Sequence, residues 1–128
     1  MKKVVIIDDD RINQEILLKA FTQKGYEVVS ILDSQRGIKE VIKLKPDLIL
    51  LDLLMPGLNG FEVLEIMKRK SIIPKIPVII LTALREEVNI KRALNLGAQD
   101  YWLKTDYNPS ELVEKINKIL DRKGKLTA

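Results

Sequence analysis

The sequence predicts a doubly wound α/β domain, in which a five-stranded parallel sheet carries helices on both faces. Two patterns predict it. Apolar runs of four to six residues alternate with longer amphipathic stretches, as in successive βα units. Three of those runs are apolar throughout, as strands covered on both faces must be. At 128 residues the chain is one domain, large enough to bury a core without disulfide or metal staples.

The elements follow in order. A first strand is read over Lys3–Ile7 and a helix over Asn13–Lys24, stopped by Gly25, a residue free to take positive φ at a helix end. The run Tyr26–Ser30 alternates more than the others and reads as an edge strand; a helix over Gln35–Lys45 follows it. Leu48–Leu51 is the third strand. After the turn Met55-Pro56-Gly57, Asn59 and Glu62 form an N-cap signature that opens a helix over Gly60–Lys70. Val78–Leu81 is the fourth strand, with a helix over Glu86–Leu96 that Gly97 stops. Tyr101–Leu103 is the fifth, and Asn108, Pro109 and Glu111 open a last helix over Pro109–Arg122. The repeats place the domain at residues 1–123, with a short polar tail over 124–128.

Composition removes several chemistries. With no Cys and no His there are no disulfides, no thiolate or imidazole metal sites, no Cys nucleophile and no Ser-His-Asp triad. A cysteine-free chain whose amino-terminal apolar run is short and soon acidic fits a cytoplasmic protein without a signal peptide, and no apolar stretch is long enough to span a bilayer. The net charge is +4. Its basic residues are scattered apart from Lys68-Arg69-Lys70 and the run 121–125, which reads as solvated helix ends rather than a nucleic-acid surface.

In parallel α/β sheets, ligands sit beyond the carboxyl ends of the strands. Here the first strand ends in Asp8 and Asp9, the third in Asp52, the fourth in Thr82 and the fifth in Lys104. Singly, each has an ordinary reading: a turn or cap carboxylate, a satisfied strand terminus, a solvated ammonium. Jointly, three carboxylates on one sheet edge raise each other's pKa unless a cation neutralises them. With oxygen ligands alone on offer, that cation is Mg2+, or Mn2+ in its place, held by carboxylates, a backbone carbonyl and waters with a phosphate completing the octahedron. Such an arrangement prepares phosphoryl transfer. Asp10, next in the acidic run, reads as a cap for the following helix.

Four segments carry a resemblance that spans Lys2–Leu120: VVIIDDD at 4–10, DLILLDLLMPGLNGFEVL at 47–64, PVIILTA at 77–83 and GAQDYWLK at 97–104. Together they resemble the receiver domain of two-component response regulators, the family of the chemotaxis receiver. The resemblance implies a flavodoxin-like (βα)5 fold with strand order 2-1-3-4-5. It implies that Asp52 accepts a phosphoryl group from a phosphohistidine of a sensor histidine kinase, giving an aspartyl phosphate. It implies that Asp9, Asp52 and the backbone carbonyl of Leu54 bind Mg2+, with Asp8 acting through a metal-bound water. Lys104 would pair with the phosphoryl oxygens, Thr82 would move toward them, and the rotamer of Tyr101 would follow. The face formed by the fourth helix, fifth strand and fifth helix would then engage a downstream protein, a histidine phosphotransferase, or a second copy in a phosphorylation-linked homodimer. Such a chain is a stand-alone response regulator, not an enzyme: it promotes only its own phosphotransfer and dephosphorylation, and it neither binds nucleic acid directly nor inserts into a membrane. Trp102, beside Tyr101, reads either as part of that face or as a packed indole.

The sequence departs from the family pattern in two respects. Receivers usually follow the site lysine with Pro in a cis peptide, whereas here Thr105 follows Lys104. A cis bond before a non-proline residue costs roughly 2.5 to 4 kcal/mol, so a trans peptide and a different loop path are expected. The positions two beyond Asp52 and two beyond Thr82 are both apolar, Leu54 and Leu84. Neither side chain can orient an attacking water, which predicts slow self-dephosphorylation.

Three other readings compete. Asp8 and Asp10 have the Asp-x-Asp spacing of haloacid-dehalogenase-like phosphatases, but Ile12 stands where those enzymes carry Thr or Val, a late acidic pair is missing, and Asp52 has no role. A non-phosphorylated pseudo-receiver would not need a complete acidic site. A flavin-binding protein would want a Ser/Thr/Gly-rich phosphate loop, where Asp8–Asn13 is acidic.

Overall fold

The computed structural model describes the backbone of residues 2–127 and the side chains as far as residue 122. Five βα repeats follow one another: β1 (Lys3–Ile7), α1 (Arg11–Gln23), β2 (Glu27–Ile31), α2 (Ser34–Leu44), β3 (Leu48–Leu51), α3 (Gly60–Arg69), β4 (Val78–Thr82), α4 (Glu87–Asn95), β5 (Asp100–Leu103) and α5 (Pro109–Thr127), with a single 3-10 turn over Lys104–Asp106 before α5. The strands form one parallel sheet in the order β2-β1-β3-β4-β5. The alternating run at residues 26–30 therefore does belong to an edge.

The continuously apolar strands have a core on each side. Val5, Ile7, Ile49, Leu51, Val78 and Ile80 pack against α2, α3 and α4, while Val4, Ile6, Leu48, Leu50, Ile79 and Leu81 pack against α1 and α5. Side chains alternate across a strand, so a strand buried twice must be apolar at every position, and each such Ile or Leu contributes roughly 1.5 to 3 kcal/mol.

Boundaries move by a residue or two for local reasons. α1 begins at Arg11, two residues before the sequence expectation, because the Asp10 carboxylate accepts the Asn13 N–H at 3.1 Å as its N-cap. β2 begins at Glu27 because Tyr26 turns inward, its ring edge-on to Phe21 with centroids 5.4 Å apart. Asn59 and Glu62 form a reciprocal capping box, and Asn108 and Glu111 repeat it at α5. Gly25 and Gly97 take positive φ where they end α1 and α4. The polar tail expected from Gly124 lies where side chains are not described; in backbone, α5 runs on to Thr127. Trp102 is a packed indole and not a surface group: it is buried in the α1–α5 core, with Nε1 donating to Asp100 Oδ2 at 2.9 Å. No described helix is long and apolar enough to cross a membrane.

Candidate functional site

Register decides which strand ends meet. Ile7 of β1 lies beside Leu51 of β3, so the residues that follow, Asp8 and Asp52, leave the sheet side by side. The Asp52 N–H donates to Ile7 O and the Asp8 N–H to Ile31 O, both at 3.0 Å, extending the ladder one step past the strands. Thr82 pairs with Leu103 at the ends of β4 and β5, which delivers Lys104 to the same edge.

The turn after Asp52 is held from two sides. Gly57 takes a φ of +74°, and the buried Ser34 hydroxyl at the start of α2 donates to Leu58 O at 2.6 Å. Gly60 then brings α3 against the end of β3 so closely that a Cβ there would lie 2.5 Å from Asp52 O and 2.6 Å from Leu53 Cα.

Asp52 answers its apolar surroundings by partnering. It is 5% exposed; Oδ1 accepts the Leu54 N–H at 3.2 Å and Oδ2 accepts Lys104 Nζ at 3.0 Å. The same ammonium lies 2.8 Å from Asp8 Oδ2. Asp8, 3% exposed, also accepts from the Asp10 N–H and from Asn13 Nδ2. Burial pushes the Asp8 carboxyl above its usual value, helped by repulsion from Asp52 and opposed by the hydrogen bonds from Lys104 and Asp10. Burial works against the Lys104 charge, but the hydrogen bonds and charges of Asp8 and Asp52 together outweigh it and raise its pKa. One cation thus serves two buried acids at neutral pH.

Asp9 is exposed. Carboxylate oxygens of Asp8, Asp9 and Asp52 lie within 4.8 Å of one another. Three hard oxygen donors at that spacing, with their charge only partly offset by one ammonium, fit a divalent cation of the Mg2+ type that keeps several waters.

Thr82 is fully buried, and its Oγ1 accepts the Leu84 N–H at 3.5 Å. The half-buried Tyr101 donates its hydroxyl to Leu84 O at 2.8 Å. Leu84 is therefore grasped through both backbone groups, by the strand end on one side and by Tyr101 on the other. Burial, with the charges of Glu86 and Asp52, raises the Tyr101 phenol to about 12. Among the described residues the one cis peptide is Ile73–Pro74; Lys104–Thr105 is trans, and the 3-10 turn is the different path taken by its loop.

The structure thus gathers Asp8, Asp9, Asp52, Thr82, Lys104 and the backbone of Leu54 at one edge, with Tyr101 one step removed. Asp10 is the α1 cap, so the Asp-x-Asp spacing of a phosphatase is not realised as a pair of site acids. Asn13, Gln14 and Ser34 were not anticipated. Asn13 and Ser34 sit in ordinary polar contexts, but Gln14 stands three residues before Leu17 and seven before Phe21 on the buried stripe of α1, a position where a polar residue signals a task.

Residues 4–117 match the response regulator receiver domain family. This chain is a response regulator receiver domain. It is 37% identical over 123 residues to the phosphate regulon transcriptional regulatory protein PhoB of Pseudomonas aeruginosa, an alignment covering 96% of this chain and 53% of PhoB. It is 33% identical over 121 residues to the DNA-binding response regulator MtrA of Mycobacterium tuberculosis, covering 94% of this chain and 51% of MtrA. The receiver domain thus spans about half the length of these relatives. Among solved structures, the CheY-like receiver domain protein of Methanospirillum hungatei superposes with a TM-score of 0.88 at 30% identity, covering 98% of both chains. A two-component response regulator of Clostridium difficile gives 0.87 at 27% identity, covering 96% of this chain and 98% of that one.

Proposed function

We propose that this receiver domain is a signalling switch operated by phosphorylation of Asp52. One observation carries the reading: Lys104 Nζ stands between Asp8 and Asp52 at 2.8 and 3.0 Å, leaving a nearly buried carboxylate as nucleophile with a cation already beside it. In the transfer, an Asp52 carboxylate oxygen forms the new P–O bond while the P–N bond of a kinase phosphohistidine breaks, and the electron pair leaves with the imidazole. Asp9, Asp52 and the Leu54 carbonyl would hold Mg2+, or Mn2+ in its place, with Asp8 reaching it through water; the ion would supply positive charge to the phosphoryl oxygens. Lys104 would move from the two acids to the new phosphoryl group, which carries nearly two negative charges and three strong acceptors.

Thr82 is the group within the sheet edge that would follow. Turning its hydroxyl to the phosphoryl group releases the Leu84 N–H, and the Leu84 carbonyl that holds Tyr101 moves with it. The readout surface is that of α4, β5 and α5. α4 buries only Ala93 among its described residues and leaves Val88 71% and Leu94 43% exposed, a thin attachment for a helix that must shift. Its partners would be a sensor histidine kinase upstream, and downstream a protein target, a histidine phosphotransferase or a second copy. On this reading the domain works in the cytoplasm, binds no nucleic acid itself, and turns over only its own phosphoryl group.

The test is phosphorylation by acetyl phosphate with Mg2+, followed by intact mass. One phosphoryl adduct on the native chain and none on Asp52→Asn is the expected result. Absence of any adduct would point to a constitutive interaction module, and sustained release of phosphate over many turnovers to a phosphatase.

A further inference from the structure

Gln14 is 3% exposed and lies on the core side of α1. Its Nε2 is 2.9 Å from Ile6 O, 3.1 Å from Asp8 O and 3.1 Å from Ile31 O. A carboxamide has two N–H bonds, so one of them is shared between two carbonyls. The orientation is fixed by these neighbours, because a flipped amide would set its oxygen against three others. Among the described residues Oε1 meets no donor and Ser30 Oγ finds no partner; both residues line an open cleft of about 180 Å3 between α1 and β2.

The three carbonyls are not a random set. Ile31 is the last residue of β2 and Ile6 the last but one of β1, and Ile31 O already takes the Asp8 N–H at 3.0 Å. The Asp8 backbone is thereby tied on both sides of its Cα, through its N–H to β2 and through its C=O to Gln14. Everything beyond that point, the Asp8 carboxylate with its bonds from Asp10 N–H and Asn13 Nδ2 and then Asp9, hangs from this anchor.

We propose that Gln14 is a positioning residue for the acidic site, its carboxamide fixing the backbone from which Asp8 and Asp9 present their oxygens to a divalent cation. The inference rests on the reading of Asp8, Asp9 and Asp52 as a cation site. Gln14 touches neither metal nor phosphoryl group; it acts by keeping the oxygens within 4.8 Å. Loss of it lets the end of β1 relax, and metal affinity falls about tenfold, the lower end of the range for partners that orient metal ligands.

The test compares native protein, Gln14→Met and Ser30→Ala. Mn2+ binding is followed by the paramagnetic resonance of free Mn2+, and phosphorylation by acetyl phosphate is followed against Mg2+ concentration. Met keeps the bulk and removes the donors; Ser30→Ala alters the same cleft without touching Asp8. The proposal expects native binding in Ser30→Ala and about tenfold weaker binding in Gln14→Met. It also expects the half-saturating Mg2+ of Gln14→Met to rise while the rate at saturating Mg2+ recovers to within about twofold of native. Should Gln14→Met fail to fold cooperatively, Gln14→Asn, whose amide ends one methylene short of the carbonyls, replaces it with the same criteria. Native affinity in the folded variant, equal weakening in Ser30→Ala, or a maximal rate that does not recover would overturn it. Native protein that binds no Mn2+ would instead sink the cation-site reading itself.

Discussion

Replacing Lys104 by Met removes the one ammonium between two buried acids while keeping much of its stem. In the native chain Nζ lies 2.8 Å from Asp8 and 3.0 Å from Asp52. Without it, two carboxylates with oxygens inside 4.8 Å repel by about 3.5 kcal/mol at an effective dielectric of 20. Rotation of the carboxylates relieves part of that. A net loss of about 2 to 4 kcal/mol at pH 7.5 in chelator follows, near the usual penalty for breaking a buried pair and a large fraction of a domain's stability. The sign with pH is fixed by Asp8. Its folded pKa is raised, so its contribution is fully present below the usual carboxyl value and is lost as pH rises through the folded one. Removing Lys104 raises that folded value further, so the variant regains stability as pH falls through it toward the usual carboxyl range. Saturating Mg2+ rescues it more than it stabilises the native protein, where the ion competes with the ammonium. Urea unfolding followed by the fluorescence of Trp102, the single tryptophan, reads all three effects. A variant within about 0.5 kcal/mol of native in chelator, the range of an inert surface change, or one gaining no more from Mg2+ than native does, would refute the reasoning.

Gly60→Ala should destabilise by about 2 to 4 kcal/mol and depress phosphoryl uptake, because its Cβ meets the backbone of Asp52 and Leu53 at 2.5 and 2.6 Å; urea unfolding and intact mass report the two effects, and near-native values for both would contradict the packing argument. The phenolate absorbance lost on Tyr101→Phe should titrate at about 12, and the raised value makes the stability from Tyr101 complete below the usual tyrosine pKa and fading as pH rises through the folded one; a midpoint at the usual value would contradict this. The aspartyl phosphate should persist for minutes to hours, since the side chains two beyond Asp52 and Thr82 are Leu54 and Leu84 and cannot orient water; decay within seconds in purified protein with Mg2+ would contradict that.

Much of this was legible in the sequence, because the strongest signals were also the most local. A strand buried on both faces must be apolar throughout, so Leu48–Leu51 announced itself, and the polar residue ending each run fell at the sheet edge by topology alone. Asp10 as a cap and Asn59 with Glu62 as a capping box are likewise short-range chemistry. Legibility fails where tertiary packing decides: Tyr26 looked like a strand residue until the ring of Phe21 claimed it, and Trp102 stood open between surface and core until Asp100 was seen to take its N–H. Gln14 was missed because its partners are backbone carbonyls, two of them on strands whose side chains say nothing of their ends. The loop after Lys104 was legible only as a departure, since Thr105 excludes the usual proline path without specifying the 3-10 turn that replaces it.

The central claim is that one buried carboxylate, Asp52, receives the phosphoryl group. Borohydride reduces an acyl phosphate to the alcohol, so treating phosphorylated protein with it and sequencing the peptides locates the acceptor as homoserine. Conversion at position 52 alone, dependent on Mg2+ and abolished in Asp52→Asn, is the predicted result; homoserine at Asp8 or Asp9, or a phosphoryl group that resists borohydride because it sits on a hydroxyl, would contradict it.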